Sequence, residues 1–581
     1  MKSRVSLSSV DGIDRITPMA AIVILAIAII SLWLRAAYLP MGLWGAYDDA
    51  LFVAMADSIK AGKWLGTYDH LVLAKGAMFP IFMAANSLTG LPLKVSEHVL
   101  YLMAALFAAT TSARLTRQAW LLIPAFAILA LTPTAWMVEG GARVTREPLY
   151  MVLTLTLLFV AVRYSTASAR GYGLAIALGV VGGCFWLTRE EGIWLLPALA
   201  VMFLPLVVKG VRNLRGGCSG YWRRAAIAIG VPVTAFLSVV MSVNLINLAV
   251  YGVFRNNELR SGPFVRAYGA LSRISNGEWR RYVIFPNEAR QRAYVVSPAV
   301  KELMPYFEGP GAARWVQASH DYPKPWGCRE ESQACNKEIL SGWFVWALRD
   351  AAKTAGYYGS AAEADAYFSR IADEVNAGCE HQVIPCREPR NTLAPVWRGH
   401  YMRDTLVASR EILSTLIHLN GGQIGVPASV LTLEQAAIFR SAIHGGLRGI
   451  DDMDEPTVGW QHDVREMRLA LMRGIATFYA IASPWLFGLA LASYCFILLA
   501  AGRIKSARVS GNAVVIMTAL LAAILSRVAV LGFLDATSIP SNNLLYLLPA
   551  VPIYLLFIVL SIAIAIAAIW NVVHRKGVPS A

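Results

Sequence analysis

Stretches of about 20 consecutive apolar residues recur along this chain. Such a stretch suits a lipid bilayer, where a helix satisfies every backbone polar group internally. A window of about 19 residues finds ten of them, near 17–38, 95–113, 118–136, 147–164, 171–187, 192–208, 226–250, 476–500, 512–534 and 544–570. Composition agrees: 56% of the 581 residues are hydrophobic and 15% charged, against about 25% charged in soluble domains, and the mean hydropathy is +0.51. An ordinary soluble enzyme is excluded. The expected fold is a polytopic α-helical membrane protein, with a transmembrane module at 1–251, a soluble insert at 252–475 and C-terminal transmembrane helices at 476–581.

The net charge of +15 is not a nucleic-acid footprint. The insert carries 26 Lys and Arg against 25 Asp and Glu, so the excess lies in the membrane portion, where it reports orientation. With a cytoplasmic amino terminus, the inward segments hold 17 basic residues against two acids, Asp11 and Asp14. That threading puts the insert outside. Four of the seven cysteines, Cys328, Cys335, Cys379 and Cys386, form two C-x6-C pairs within the insert. Disulfides fit the spacing better than structural zinc, which favours two to four intervening residues, and disulfides also imply an oxidising compartment. Three pairings are open. Cys184, Cys218 and Cys495 read as packing residues. The chain is expected in the inner, or plasma, membrane as a multi-pass protein, with both termini cytoplasmic, the large domain periplasmic, and the first span retained as an anchor rather than cleaved.

Segments 48–62 and 76–91 are too long and too apolar for loops, and read as interfacial or re-entrant helices on the outer side. Within the insert, 361–378 and 432–446 have helical periodicity. Thr432 with Gln435 forms a capping-box signature, and Gly378 and Gly445 sit where C-terminal caps belong. The insert is expected to be mostly helical and disulfide-stapled. Trp343, Phe344 and Trp346 read as its core or membrane-facing edge, and Trp44, Trp136, Trp186, Trp194 and Tyr38 as an interfacial aromatic belt.

The remaining acids of the membrane portion are Asp48, Asp49, Asp57, Asp69, Glu97, Glu139, Glu147, Glu190, Glu191 and Asp535, and all ten fall at outer span ends. Ionisable groups at membrane level persist where they face a cavity, bind an ion or pair. Several have basic neighbours: Lys75 in LAKGAMFP, Arg143 and Arg146 with Glu147 in GARVTREPLY, and Arg189 with Glu190 and Glu191 in WLTREEGIWLLP. Such cations could surround one phosphate, Arg bidentately and Lys as a point charge. The plain alternatives are internal ion pairs and, for Asp57, Asp69 and Glu97, ordinary outer loops.

These motifs, in this order, resemble those of the GT-C membrane glycosyltransferases, in particular the branch of protein O-mannosyltransferases and lipid A aminoarabinose transferases. The resemblance covers 17–250 and weakly 535–560: an acidic pair after the first span (AYDDALFVAMADSIKAGKWLG), a Lys and a Pro at a second interfacial helix, an acid opening the fourth span and a Thr-basic pair closing the fifth. It implies a GT-C-like bundle that transfers a sugar from a polyprenyl-phosphate donor to a glycan, lipid or protein acceptor, with inversion. Asp48 would be the general base and Asp49 its support. Lys75 and Arg189, with Arg143 and Arg146, would hold the departing phosphate. Glu147, Glu190, Asn543 and Tyr546 would line the substrate cavity. Asp48 and Glu147 could hold a divalent metal, Mg, Mn or Zn. Near the last span the family often has Arg-Tyr before Leu-Pro, whereas SIPSNNLLYLLPAVP offers Asn542, Asn543 and Tyr546; either a donor-phosphate Arg is missing there, or Arg527 or Arg143 replaces it. The insert has no counterpart in the resemblance.

No P-loop or dinucleotide fingerprint is present, and no H-E-x-x-H; His70, His98 and His574 read as interfacial or loop residues. A ligase or polymerase of lipid-linked glycans, or a transporter or flippase with an outward charged cavity, are the competing functions.

Overall fold

The computed structural model describes residues 17–575 except 38, 46, 138–140, 168–170, 216–220, 276–278, 321–336, 391, 396, 420–421, 426, 453–457 and 505–508. Cys218, Cys328, Cys335 and Glu139 lie outside the described residues. The amino-terminal half comprises α1 Pro18–Arg35, α2 Asp49–Lys60, α3 Met78–Ser87, α4 Leu93–Thr116, α5 Leu122–Ala130, α6 Glu147–Thr166, α7 Tyr172–Thr188, α8 Leu196–Arg215 and α9 Tyr221–Tyr251. The insert follows with α10 Pro263–Arg273, α11 Asn287–Val296, α12 Pro298–Lys301, α13 Met304–Phe307, α14 Ala313–His320, α15 Ser341–Thr354, α16 Ala361–Glu380, α17 Tyr401–His418 and α18 Leu433–Ile443. The chain closes with α19 Trp460–Arg503, α20 Gly511–Thr537, α21 Leu544–Leu547 and α22 Val551–Arg575.

Among the described residues seven helices are long and apolar enough to cross a membrane, and three shorter apolar helices, at Ala119–Ala130, Tyr172–Thr188 and Gly192–Val208, fall on the other three expected segments. One of these, α5, stops early because Pro133 follows Thr132 and cannot continue the hydrogen-bond ladder. The bundle centres on α6, whose apolar stretch is 72% buried, whereas that of α9 is 11% buried and faces outward. Close packing uses small residues: a Cβ on Gly179 or Gly183 of α7 would collide with α9 at Pro232 or Val239, the usual means by which apolar helices approach without a hydrophobic driving force.

The insert is two structures in sequence. Residues 264–384 bury a core of their own around Phe344, Leu348, Phe368 and Ile371. Phe344 is thus core, as expected. From 401 onward the chain returns to the bundle: Ile412 and Leu416 of α17 join the transmembrane core, and Phe439 and Ile443 of α18 pack on Phe52 of α2 and Phe79 of α3. The expected boundary at 475/476 falls inside α19, a single 44-residue helix. α18 starts with the capping box, Gln435 N donating to Thr432 Oγ1 and Thr432 N to Gln435 Oε1. The glycines anticipated as caps act otherwise: Gly378 lies within α16, packed on Val296, and His444 takes the left-handed position that ends α18. One disulfide joins Cys379 to Cys386.

Candidate active site

Three connections on the insert side of the bundle converge: 39–48 before α2, 61–77 between α2 and α3, and 141–146 before α6. The turn at 189–191 joins them. A glycine sets the closest approach. Gly76 lies so near the end of α7 that a Cβ would collide with the Leu187 carbonyl, and this brings Lys75 beside the residues that follow Thr188. Gly76→Ala is expected to destabilise the protein by about 1–3 kcal/mol, read from its thermal unfolding in detergent.

The charges form an alternating network. Lys75 Nζ donates to Asp48 Oδ1 at 2.7 Å, and Arg143 Nη2 to Asp49 Oδ1 at 2.5 Å. Arg146 clasps Glu190 with both terminal nitrogens, at 2.9 and 2.8 Å, and also reaches the Thr188 carbonyl at 3.0 Å. Arg189 bridges Glu147 at 2.5 Å and Glu191 at 2.7 Å, its guanidinium carbon between the rings of Tyr150 and Tyr546 at 5.8 and 5.5 Å. Arg527, buried in α20, lies 3.5 Å from Glu191 and donates to the Tyr546 carbonyl at 2.6 Å. Arg260 stacks 4.2 Å over Trp186 and donates to the Arg189 carbonyl. Asn257 Nδ2 reaches Glu190 at 3.0 Å.

Among the described residues, six cations thus face five carboxylates. Most of the network is sealed, but Asp48 is not: its side chain is 48% exposed, whereas Asp49 is fully buried. The two acids consequently differ in proton affinity. Surrounding protein pushes Asp48 up, yet Lys75 first, then Arg146 and Arg143, hold it below the usual carboxylate range. Burial outweighs Arg143 at Asp49, and with Asp48 nearby its carboxyl rises to about 6. Desolvation and paired cations drive such neighbours apart.

The structure brings together Asp48, Asp49, Lys75, Arg143, Arg146, Glu147, Arg189, Glu190 and Tyr546. Asn543 is exposed and caps α21, accepting from Tyr546 N at 3.0 Å. Asp48 and Glu147, anticipated as metal ligands, are each engaged by a cation, and among the described residues no three His, Cys, Asp or Glu side chains gather to hold an ion. The outer acids divide: Asp57 pairs with Lys60, Asp69 accepts from Leu71 N and Val72 N within its own turn, and Glu97 is no loop residue but is buried in α4 against Lys94 at 2.8 Å. Nor are all the belt aromatics interfacial. Trp136 and Trp194 are fully buried, Trp194 donating to Tyr150 Oη beneath Arg527. His98 is likewise buried against Ser31, and His70 against Asp350 at 2.9 Å.

The insert completes the chamber wall, a part that sequence reasoning missed. Asp350 of α15 accepts from Tyr47 Oη at 2.8 Å, next to Asp48 in the chain, and pairs with Arg314. Trp346, one turn earlier, lies 5.2 Å from Lys75 Nζ. Their spacing in GWFVWALRD, four apart on one helical face, was the available signal.

No family model matches the chain, and no curated protein matches it. Solved structures to which it is similar include the following two. One is the crystal structure of ArnT from Cupriavidus metallidurans bound to undecaprenyl phosphate, 14% identical, with 97% of this chain and 79% of that chain covered and a TM-score of 0.29. The other is ArnT from the same organism in the apo state, 13% identical, covering 95% and 77%, with a TM-score of 0.26.

Proposed function

We propose that this chain is a membrane glycosyltransferase that moves a sugar from a polyprenyl-phosphate donor to a hydroxyl of a glycan, lipid or protein on the periplasmic side, with inversion. The observation that carries this reading is Asp48, an exposed, ionised carboxylate at the edge of a chamber of sealed cations. In the resting pair Asp48 and Lys75 neutralise each other. A donor phosphate draws Lys75 to itself and frees Asp48 to accept the acceptor's hydroxyl proton as that oxygen attacks the anomeric carbon. The bond from the anomeric carbon to phosphate oxygen breaks, its electrons stay on the phosphate, and Lys75 and Arg189 stabilise the charge that develops. Geometry and fixed charge suffice for this step.

Two further features support it. Among the described residues the chamber's six cations outnumber its five carboxylates, an excess that suits an anionic donor. An apolar cavity of about 650 Å³ between α6, α7, α8 and α9, bounded by Trp186, Gly192 and Phe236, lies directly beside the 189–191 turn and suits a lipid tail. Neither the glycan ligase nor the transporter reading has a comparable observation in its favour.

Native mass spectrometry of the purified protein tests the donor site. A polyprenyl phosphate should copurify, and Lys75→Ala with Arg189→Ala should remove it; a protein without such a lipid, or with binding indifferent to both residues, overturns the reading. A pH effect follows as well. As pH falls through about 6, Asp49 takes up a proton and the chamber's formal charge rises by one. The donor KM should fall between pH 7 and 5.5 while kcat holds, because Asp48 stays ionised, and the Asp49→Asn variant should show a flat KM over that range.

A further inference from the structure

Beyond the disulfide at Cys379 and Cys386, the chain runs back along α10 in a held conformation. Arg387 N donates to the Arg273 carbonyl at 2.8 Å, and Arg273 Nε donates to the Arg387 carbonyl at 3.0 Å. Ser275 N bonds the Pro385 carbonyl at 2.8 Å. Arg390 passes so close to α10 that a Cβ on Gly269 would collide with its carbonyl. Arg387 and Arg390 line a cleft with Arg398, Trp279, Tyr401 and Thr537. The Arg398 guanidinium carbon lies 5.8 Å over the Trp279 ring, which itself stands 5.9 Å from that of Tyr401.

What sets this cleft apart is missing counter-charge. Arg280 on its wall is paired with Glu288 and Glu338, and in the chamber Arg143, Arg146, Arg189 and Arg527 each have a carboxylate. Arg390, by contrast, donates to the carbonyls of Thr392 and Leu393, and the strongest charged neighbour of Arg387 is Arg398. Among the described residues no carboxylate pairs with any of the three. Burial lowers the proton affinity of Arg387 and Arg390, and for Arg387 repulsion from Arg398 adds to it. Half-buried guanidinium groups without a counter-charge are costly unless an anion supplies one, and guanidinium is the group that binds phosphate bidentately.

We propose that this cleft is a second anion site, distinct from the chamber, that takes a phosphate-bearing group through Arg387, Arg390 and Arg398 over the floor of Trp279 and Tyr401. Thr537 ends α20, and Arg527 of the chamber lies ten residues earlier on that helix, about 15 Å along its axis. The two anion sites therefore stand near one end of the bundle. On the transfer reading, on which this part rests, the cleft holds a phosphate of the acceptor while its hydroxyl meets Asp48.

The full-length protein in phosphatidylcholine nanodiscs would be titrated with inorganic pyrophosphate at constant ionic strength, with the unfolding midpoint as readout. Arg387→Gln with Arg398→Gln should weaken pyrophosphate by about tenfold, the scale of losing one charged hydrogen bond or two. Arg398→Gln alone should weaken it by about threefold, and Arg266→Gln with Arg440→Gln, which removes equal charge elsewhere on the insert, should leave it unchanged. A parallel set of nanodiscs containing phosphatidic acid, read by native mass spectrometry, separates the sources. Retention of phosphatidic acid that depends on Arg387 and Arg398 identifies a lipid headgroup; dependence of pyrophosphate alone identifies a soluble phosphate. If neither ligand responds to these arginines, the proposal is wrong. Copurified polyprenyl phosphate should survive both substitutions, so failure here and failure of the donor site are told apart.

Discussion

Asp48→Asn is expected to lower sugar transfer by about 100- to 10,000-fold, the range in which a positioned general base contributes, with the fold intact and the donor still bound. Asn keeps the shape of the side chain but cannot accept the proton. The position is 48% exposed, with Lys75 as its one close partner, so little packing is lost. The substitution also releases Lys75 from its ion pair, and the donor KM should therefore fall as kcat collapses. That split distinguishes loss of a base from loss of a binding group. Initial rates over a series of donor concentrations, beside an unfolding midpoint, decide the matter: a folded Asp48→Asn protein that transfers at the wild-type rate removes Asp48 from the mechanism.

Arg189→Ala is expected to cost about 3–5 kcal/mol of stability, because it leaves the buried carboxylate of Glu147 without its paired cation and Glu191 with Arg527 in place of two. Arg189 joins the two acids, at 2.5 and 2.7 Å, whereas Arg527 reaches Glu191, at 3.5 Å, and not Glu147. Polyprenyl phosphate should be lost at the same time. Arg189→Lys, which keeps the charge but not the planar fork, should recover part of the stability and little of the lipid. Equal lipid retention in the Lys variant and the wild type would show that a point charge is enough. Chemical unfolding in detergent and native mass spectrometry supply the two readouts.

The motif residues around the first, fourth and fifth spans could be read before any coordinates, because short sequence separations there coincide with short distances. Arg146 and Glu147 share a turn that opens α6, and Arg189 to Glu191 share the turn after α7. Pairing was harder. Nothing in GARVTREPLY or WLTREEGIWLLP tells which acid Arg146 takes, since Glu147 and Glu190 are both one helix end away, and the choice of Glu190 follows from how α6 and α7 pack. Arg527 was reached through the resemblance, as one of two stand-ins for the Arg expected near the last span. Asp350 was not, because its bond to Tyr47 closes 303 residues of chain. Burial defeated the reading of Trp136, Trp194 and Glu97, for which apolar surroundings in sequence do not separate a lipid-facing from a core-facing side of one helix.

The wall that Trp346 and Asp350 build against Lys75 and Tyr47 also dates the chamber. Asp48 leaves the ribosome about 300 residues before that wall, which at about 5–20 residues per second amounts to roughly 15–60 s. Arg527 and Tyr546 come later still. Through that interval a nascent chain holds Asp48 and Lys75 but neither the aromatic wall nor the last buried cation. The chamber closes only when the insert has folded and α20 to α22 have joined the bundle, so a truncated or half-inserted chain is expected to lack a finished chamber.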